Sequence, residues 1–134
     1  MTSAVLLSAE RLSVAVLGRT LVRELSLEVR AGEFACILGP NGAGKSLTLH
    51  TLAGLRPPAD GGKILLCGRP LESWGRRARA RHIGLLMQSS EDPFPGTVLD
   101  AVLIGRHPHI DPWQWESPQD ISICRAALAA CDLE

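Results

Sequence analysis

The first third of the chain alternates between apolar and polar positions, the pattern of half-buried β-strands. Residues 5–16 alternate loosely and residues 20–29 more regularly, so both segments predict strands, and residues 61–68 predict a turn followed by a third. The short, mostly apolar runs "FACIL" (34–38) and "IGLLMQ" (83–88) instead predict strands buried on both faces of a parallel sheet, with Cys36 packed in the core.

The apolar spacing becomes helical at three further places. A helix is predicted to begin at Lys45 and to end before Gly54, because two prolines follow within four residues. Residues 97–106 and 117–134 predict two more helices. Ser117 can cap the last one, since a proline follows it and Asp120 stands at the capping-box position.

The charge balance argues against a dedicated nucleic-acid or acidic-membrane surface. The chain has 14 basic and 14 acidic residues among 134, which gives a net charge of zero. The basic run at 76–81 predicts a short helix with a solvated face. No secretory signal or membrane span is indicated. The scattered cysteines predict the reduced thiols of a cytosolic protein, and the zero net charge argues against a nucleic-acid partner.

One motif carries chemistry. Gly39, Gly44, Lys45 and Ser46 fit G-x-x-x-x-G-K-[ST] between a predicted strand and a predicted helix. Glycines let the backbone approach phosphates, the helix N-terminus favours anions, Lys45 can reach the β- and γ-phosphates, and Ser46 can ligate Mg²⁺. The motif predicts nucleotide binding but leaves kinases, GTPases and transport ATPases open. The predicted binding residues are Gly39, Pro40, Asn41, Gly42, Ala43, Gly44, Lys45, Ser46 and Leu47.

The wording "GPNGAGKS" (39–46), together with the segments around it, resembles the ATP-binding subunits of ABC transporters. The resemblance covers nearly the whole chain but only the first half of that family's domain. It implies an α/β fold: a P-loop NTPase core with an N-terminal antiparallel β-subdomain and the start of a helical subdomain. The implied division is 1–92 for the β-subdomain and incomplete core, and 93–134 for the start of the helical part.

Gln88 matches the glutamine of the family's Q-loop, at the end of a predicted strand. The resemblance implies that it reaches the Mg²⁺ and the attacking water when nucleotide is bound, and that it faces the membrane partner. Lys45 and Gln88 are then the catalytic candidates, and Ser46 and Gln88 the Mg²⁺ ligands. Without the resemblance, Gln88 is a solvated loop residue.

The segment "FPGTVLDAVLIGRHPH" (94–109) resembles importers of vitamin B12, iron–siderophore complexes and heme. His107 and His109 could suggest a metal pair, but a proline separates them and no third ligand is near in the sequence. Trp113 and Trp115 are expected to pack in the helical part, with contact to a membrane subunit as the alternative.

The chain departs from the family pattern in two respects. Val16, followed by Leu17, fills the place where the family has an aromatic residue that stacks on adenine, so stacking of about 1–3 kcal/mol is expected to be missing. The "LSGGQ"-like signature, the Asp-Glu strand and the switch histidine are also absent from the 134 residues. The expectation is the N-terminal portion of a longer ATPase, inactive alone.

The leading hypothesis is the ATP-binding subunit of an ABC importer for a metal chelate such as cobalamin, siderophore or heme. It would bind ATP and Mg²⁺, dimerise in its full-length form, and dock on membrane subunits at the inner face of the cell membrane, serving a substrate-binding protein indirectly. A soluble ABC ATPase and a non-functional fragment are the alternatives. The interval between Lys45 and Gln88 is compact, which favours transport.

Overall fold

The computed structural model describes residues 3–88 and 96–133. The chain forms two compact units, Met1–Arg79 and Ala80–Glu134. The predicted boundary between residues 92 and 93 lies outside the described residues and stays a prediction.

The first unit contains an antiparallel four-stranded sheet with the strand order β2-β1-β3-β4. The β1–β2 hairpin turns through Leu17 and Gly18, whose φ angles of 49° and 77° are both positive, as a two-residue type I′ turn requires. This sheet confirms the predicted N-terminal antiparallel β-subdomain. The strands are β1 (Val5–Val16), β2 (Arg19–Arg30), β3 (Lys63–Leu66) and β4 (Arg69–Pro70).

The pairing register of the β1–β2 ladder shifts at four places, and two of these shifts are bulges at Arg11 in β1 and at Glu24 in β2. Both residues have a left-handed φ of 47°. Serine hydroxyls accept the amides that the ladder no longer pairs: Arg11 N–H donates to Ser26 Oγ at 3.0 Å, and Glu24 N–H donates to Ser13 Oγ at 3.2 Å. The bulges therefore keep their backbone hydrogen bonds.

Helix α1 (Lys45–Leu52) packs beside this sheet and ends as predicted. Gly54 has a φ of 72° and donates its N–H to Thr51 O, while Leu55 N–H reaches back to His50 O. This pair of hydrogen bonds is a Schellman motif, which satisfies the last carbonyls of the helix. The buried apolar core of the unit is Ala9, Leu12, Val14, Leu52, Ile64, Leu66 and Leu71.

The two predicted parallel strands are wrong. Residues 34–38 and 83–88 are not in strands, and no described residue pairs with them in a ladder. Phe34, Leu38 and Leu86 are 94%, 86% and 98% exposed, and Cys36 is exposed rather than packed in a core. A parallel strand needs hydrogen-bonded neighbours, and the described sheet uses other segments.

The second unit is helical. A short helix, α2 (Arg76–Ala80), spans the sequence boundary between the units, and α3 (Val98–Leu103), a 3₁₀ helix (Ile104–His109) and α4 (Pro118–Ala129) follow. Both α3 and α4 begin with a capping box. No helix within residues 3–88 and 96–133 is long and apolar enough to cross a membrane.

Asp120 anchors the start of α4, as its sequence position predicts. Its carboxylate accepts the Ser117 N–H at 2.9 Å and the Ser117 hydroxyl, and it pairs with Arg106 Nε at 2.9 Å. The Ser117 side-chain and backbone hydrogen bonds, and then Arg106, lower the pKa of Asp120 from 3.8 to about 2. This cluster ties the 3₁₀ helix to the N-terminus of α4.

The prediction that Trp113 and Trp115 pack in the core is wrong. Their side chains are 97% and 89% exposed. They lie in the irregular segment between the 3₁₀ helix and α4, which has no regular face to bury. The spacing of apolar residues in this segment does not show whether the two tryptophans are buried or exposed.

Candidate functional site

The loop at residues 39–44 turns tightly into α1. Ala43 N–H donates to Pro40 O at 3.3 Å, and Thr48 N–H donates to Gly44 O at 2.8 Å as the first turn of the helix forms. Gly42 and Gly44 have φ angles of 80° and 92°, which side-chain-bearing residues adopt only with strain. The glycines of the motif therefore supply the backbone geometry that the sequence predicted.

Gly44 is buried against β2. A Cβ added to it would lie 3.1 Å from Leu21 Cβ and 3.5 Å from Val22 Cγ2. Leu21 and Val22 thus form a wall beside the loop, a role that the sequence reasoning missed. Their alternation in β2 predicted a strand, but not which element would pack against it.

The first turn of α1 presents unpaired donors. The N-cap is Gly44, and no side chain caps the helix. Within the described residues, the backbone N–H groups of residues 44–47 have no acceptor. Such groups at a helix N-terminus point outward and carry the positive end of the helix dipole. Groups of this kind can accept an anion such as phosphate.

Lys45 folds back over the loop that precedes it. Its Nζ donates to the carbonyl oxygens of Gly39 and Pro40, each at 2.8 Å. An ammonium has three donors, so two are used by the loop and one is left among the described residues. The lysine holds the loop closed and places a positive charge beside the open amides of α1.

Ser46 is exposed and makes no hydrogen bond with the described residues through its hydroxyl. The hydroxyls of Thr48 and Thr51 differ, since they donate to Gly44 O at 2.9 Å and to Leu47 O at 2.7 Å. Thr48 and Thr51 are also buried, so Ser46 is the hydroxyl of this helix that a hard cation can reach from solvent. This availability fits its predicted role as a Mg²⁺ ligand.

Val16 and Gln88 are the two predicted site residues outside the segment 39–47. Val16 ends β1, is half-buried, and pairs with Arg19 across the hairpin, with the fully exposed Leu17 next to it. Gln88 is exposed and belongs to the second unit. Its predicted role at the nucleotide stays a prediction.

His107 and His109 do not belong to a larger cluster of metal-binding side chains within the described residues. His107 Nε2 lies 3.8 Å from Glu116 Oε1, a distance consistent with a weak ion pair when the histidine is protonated. Residues 3–88 and 96–133 hold no group of three or more His, Cys, Asp or Glu side chains that could bind a metal ion.

A loop shaped by glycines, a lysine that folds back over it and an open helix N-terminus are the parts of a P-loop. The model of the ABC transporter family matches residues 22–131. The chain therefore belongs to the ABC transporter family.

Two curated relatives are both described as hemin import ATP-binding proteins. The hemin import ATP-binding protein HmuV of Pseudomonas aeruginosa is 42% identical over 127 residues, which cover 95% of this chain and 48% of that protein. HmuV of Escherichia coli O157:H7 is 40% identical over 104 residues, 78% of this chain and 40% of that protein. The chain spans less than half the length of these relatives.

Solved structures agree on the fold. An inward-facing metal-chelate type ABC transporter superposes with a TM-score of 0.75 at 30% identity, over 99% of this chain and 46% of that one. CbiO1 of Clostridium perfringens, part of the ABC transporter complex cbiONQ, superposes with a TM-score of 0.72 at 24% identity, over 98% and 52%. The second likeness supports the α/β ABC ATPase fold alone.

Proposed function

We propose that this chain forms the ATP-binding part of an ABC importer's ATPase subunit, and that it binds ATP with Mg²⁺ at residues 39–47. The observation that carries the proposal is the position of Lys45, whose ammonium bridges two loop carbonyls beside the uncapped start of α1. The backbone amides and the lysine are the groups that would bind the β- and γ-phosphates.

Mg²⁺ would be held by Ser46 and would neutralise charge on the phosphates. Gln88 would assist from the second unit, because a neutral amide can accept from a water and donate to an oxygen. The adenine would meet an aliphatic surface at Val16 rather than an aromatic ring. Leu21, which lies against Gly44, would extend that surface.

The transported molecule is proposed to be heme or a related metal chelate. Support comes from relatives described as hemin import ATP-binding proteins and from a structural relative described as a metal-chelate type transporter. In the complete protein, two copies would bind ATP under the membrane subunits at the cytoplasmic face. A substrate-binding protein would act on the other side, without direct contact.

Calorimetric titration of Mg·ATP into the 134-residue chain and two lysine variants tests nucleotide binding. Lys45→Ala should weaken binding strongly, because losing one partner of a close charge pair costs about 2–5 kcal/mol. Lys63→Ala is the matched control, since Lys63 is an exposed residue at the start of β3. Equal affinity of Lys45→Ala and Lys63→Ala would contradict the proposal.

Hydrolysis is a separate question. Phosphoryl transfer needs a carboxylate that organises Mg²⁺ and a residue that positions the water, in addition to the phosphate loop. The sequence supplies Lys45, Ser46 and Gln88 but no Asp-Glu pair after an apolar strand. We expect the 134-residue chain to release no phosphate above the background of its Lys45→Ala variant. Release that depends on Lys45 would refute this expectation.

A further inference from the structure

A polar cavity of about 490 Å³ lies in the first unit, beside the two bulges of the β1–β2 hairpin. None of its residues belongs to the predicted nucleotide-binding segment 39–47 or is assigned a role there. Its lining residues are Arg11, Ser13, Thr20, Arg23, Glu24, Asp60 and Gly61.

The backbone around this cavity is left-handed at three points, two of them at the bulges of the β1–β2 ladder. Arg11, Glu24 and Asp60 have left-handed φ angles of 47°, 47° and 55°. Aspartate tolerates this region, but it is unfavourable for longer side chains such as arginine and glutamate. Backbone outliers of this kind persist where the surrounding structure fixes them, and they cluster at ligand sites. Three converging on one cavity is the first sign of a site.

The charged side chains that line the cavity are the second indication of a ligand site. Arg11, Arg23, Glu24 and Asp60 are solvent-exposed, and their charged groups form no hydrogen bond or ion pair with the described residues. Opposite charges thus line one cavity without neutralising each other. Each guanidinium offers five N–H donors, and each carboxylate accepts only.

Ser13 adds a directed donor. Its side chain is buried, and its Oγ already accepts the Glu24 N–H at 3.2 Å. No described residue accepts the Ser13 O–H, so this hydroxyl can donate to an acceptor in the cavity. A buried hydroxyl with an unused donor favours a ligand oxygen.

We propose that this cavity binds a small zwitterion that carries an oxyanion and an ammonium group. Arg11, Arg23 and the Ser13 hydroxyl bind the oxyanion, because the planar guanidinium fork matches phosphate or carboxylate oxygens. Glu24 and Asp60 bind the ammonium. A purely anionic ligand would meet the two carboxylates, and a purely cationic one would meet the two guanidinium groups, so a ligand with both charges matches the lining best.

Calorimetric titration with O-phosphoethanolamine tests the site on the 134-residue chain. We expect saturable binding, at least tenfold weaker binding of inorganic phosphate and of ethanolamine, and at least tenfold loss in Arg23→Ala. Arg19→Ala is the matched control, because Arg19 is an exposed arginine on the same strand that does not line the cavity. Lys45→Ala should bind the zwitterion normally, whatever the fate of nucleotide binding.

Arg11→Gly separates binding from folding. Glycine accepts a φ of 47° without strain, so this variant should keep or raise the melting temperature while it loses zwitterion binding. Retention on phosphatidylethanolamine vesicles that Arg23→Ala abolishes would assign the ligand to a lipid headgroup, and binding of the soluble probe alone would assign it to a free molecule. No binding by the parent chain, or equal binding by Arg11→Gly and the parent, would overturn the proposal.

Discussion

Alanine substitutions at Gly42 and Gly44 distinguish the stability cost of a left-handed backbone from the cost of a steric contact. Gly42 and Gly44 both have a left-handed φ, but a Cβ at Gly42 would meet nothing within 4 Å, whereas one at Gly44 would lie 3.1 Å from Leu21 Cβ. The left-handed backbone costs an alanine about 1–2 kcal/mol. The reduced entropy of the unfolded chain offsets about 0.4–1 kcal/mol of this cost. Gly42→Ala should therefore lower the free energy of unfolding by about 1 kcal/mol.

Gly44→Ala carries an additional steric cost. Carbon atoms pack best at about 3.5–4.0 Å, and overpacking in a well-packed region costs about 1–3 kcal/mol. The variant should therefore be about 2–4 kcal/mol less stable than the parent. Urea denaturation followed by far-UV circular dichroism measures both variants. Equal losses of stability for Gly42→Ala and Gly44→Ala would show that Leu21 does not confine the loop.

Three further outcomes are expected. Asp120 has a lowered pKa of about 2, so the stability that it contributes is present above its ordinary pKa and is lost as the pH falls toward 2. Asp120→Asn should remove this part of the acid dependence in thermal melts, and an unchanged pH profile would argue against the hydrogen bonds from Ser117 and the pairing with Arg106 as its cause. Val16→Tyr should tighten ATP binding by up to about tenfold if about 1 kcal/mol of stacking is restored, and unchanged calorimetric affinity would place the base elsewhere. Trp113→Ser and Trp115→Ser should change the free energy of unfolding by less than about 0.5 kcal/mol, whereas a larger loss in urea titrations would mean that these side chains are packed.

Local signals predicted much of the fold. The end of α1 at Gly54 and the Ser117–Asp120 cap depend on neighbours within a few residues, so the sequence contains all that determines them. The antiparallel hairpin likewise follows from alternation on both sides of a short turn. The turn at 39–44 and the start of α1 at Lys45 also agree with the prediction, because the motif itself encodes this backbone geometry.

Features that depend on distant segments could not be predicted. Apolar runs at 34–38 and 83–88 indicate strands only if neighbouring strands are available, and composition does not reveal whether they are. The left-handed Arg11 and Glu24 arise from the register between two strands, which alternation alone does not fix. The wall that Leu21 forms beside Gly44 also depends on how helix and sheet pack.

The bond between Lys45 and its own loop has a thermodynamic consequence. Because the ammonium already holds the Gly39 and Pro40 carbonyls, the loop loses its conformational freedom when the chain folds and not when a ligand arrives. An arriving polyphosphate would therefore meet a rigid receptor, and the measured binding entropy should contain little contribution from loop ordering. In Lys45→Ala the loop would become ordered only when the ligand binds. The variant should therefore bind with a more unfavourable entropy as well as with lower affinity.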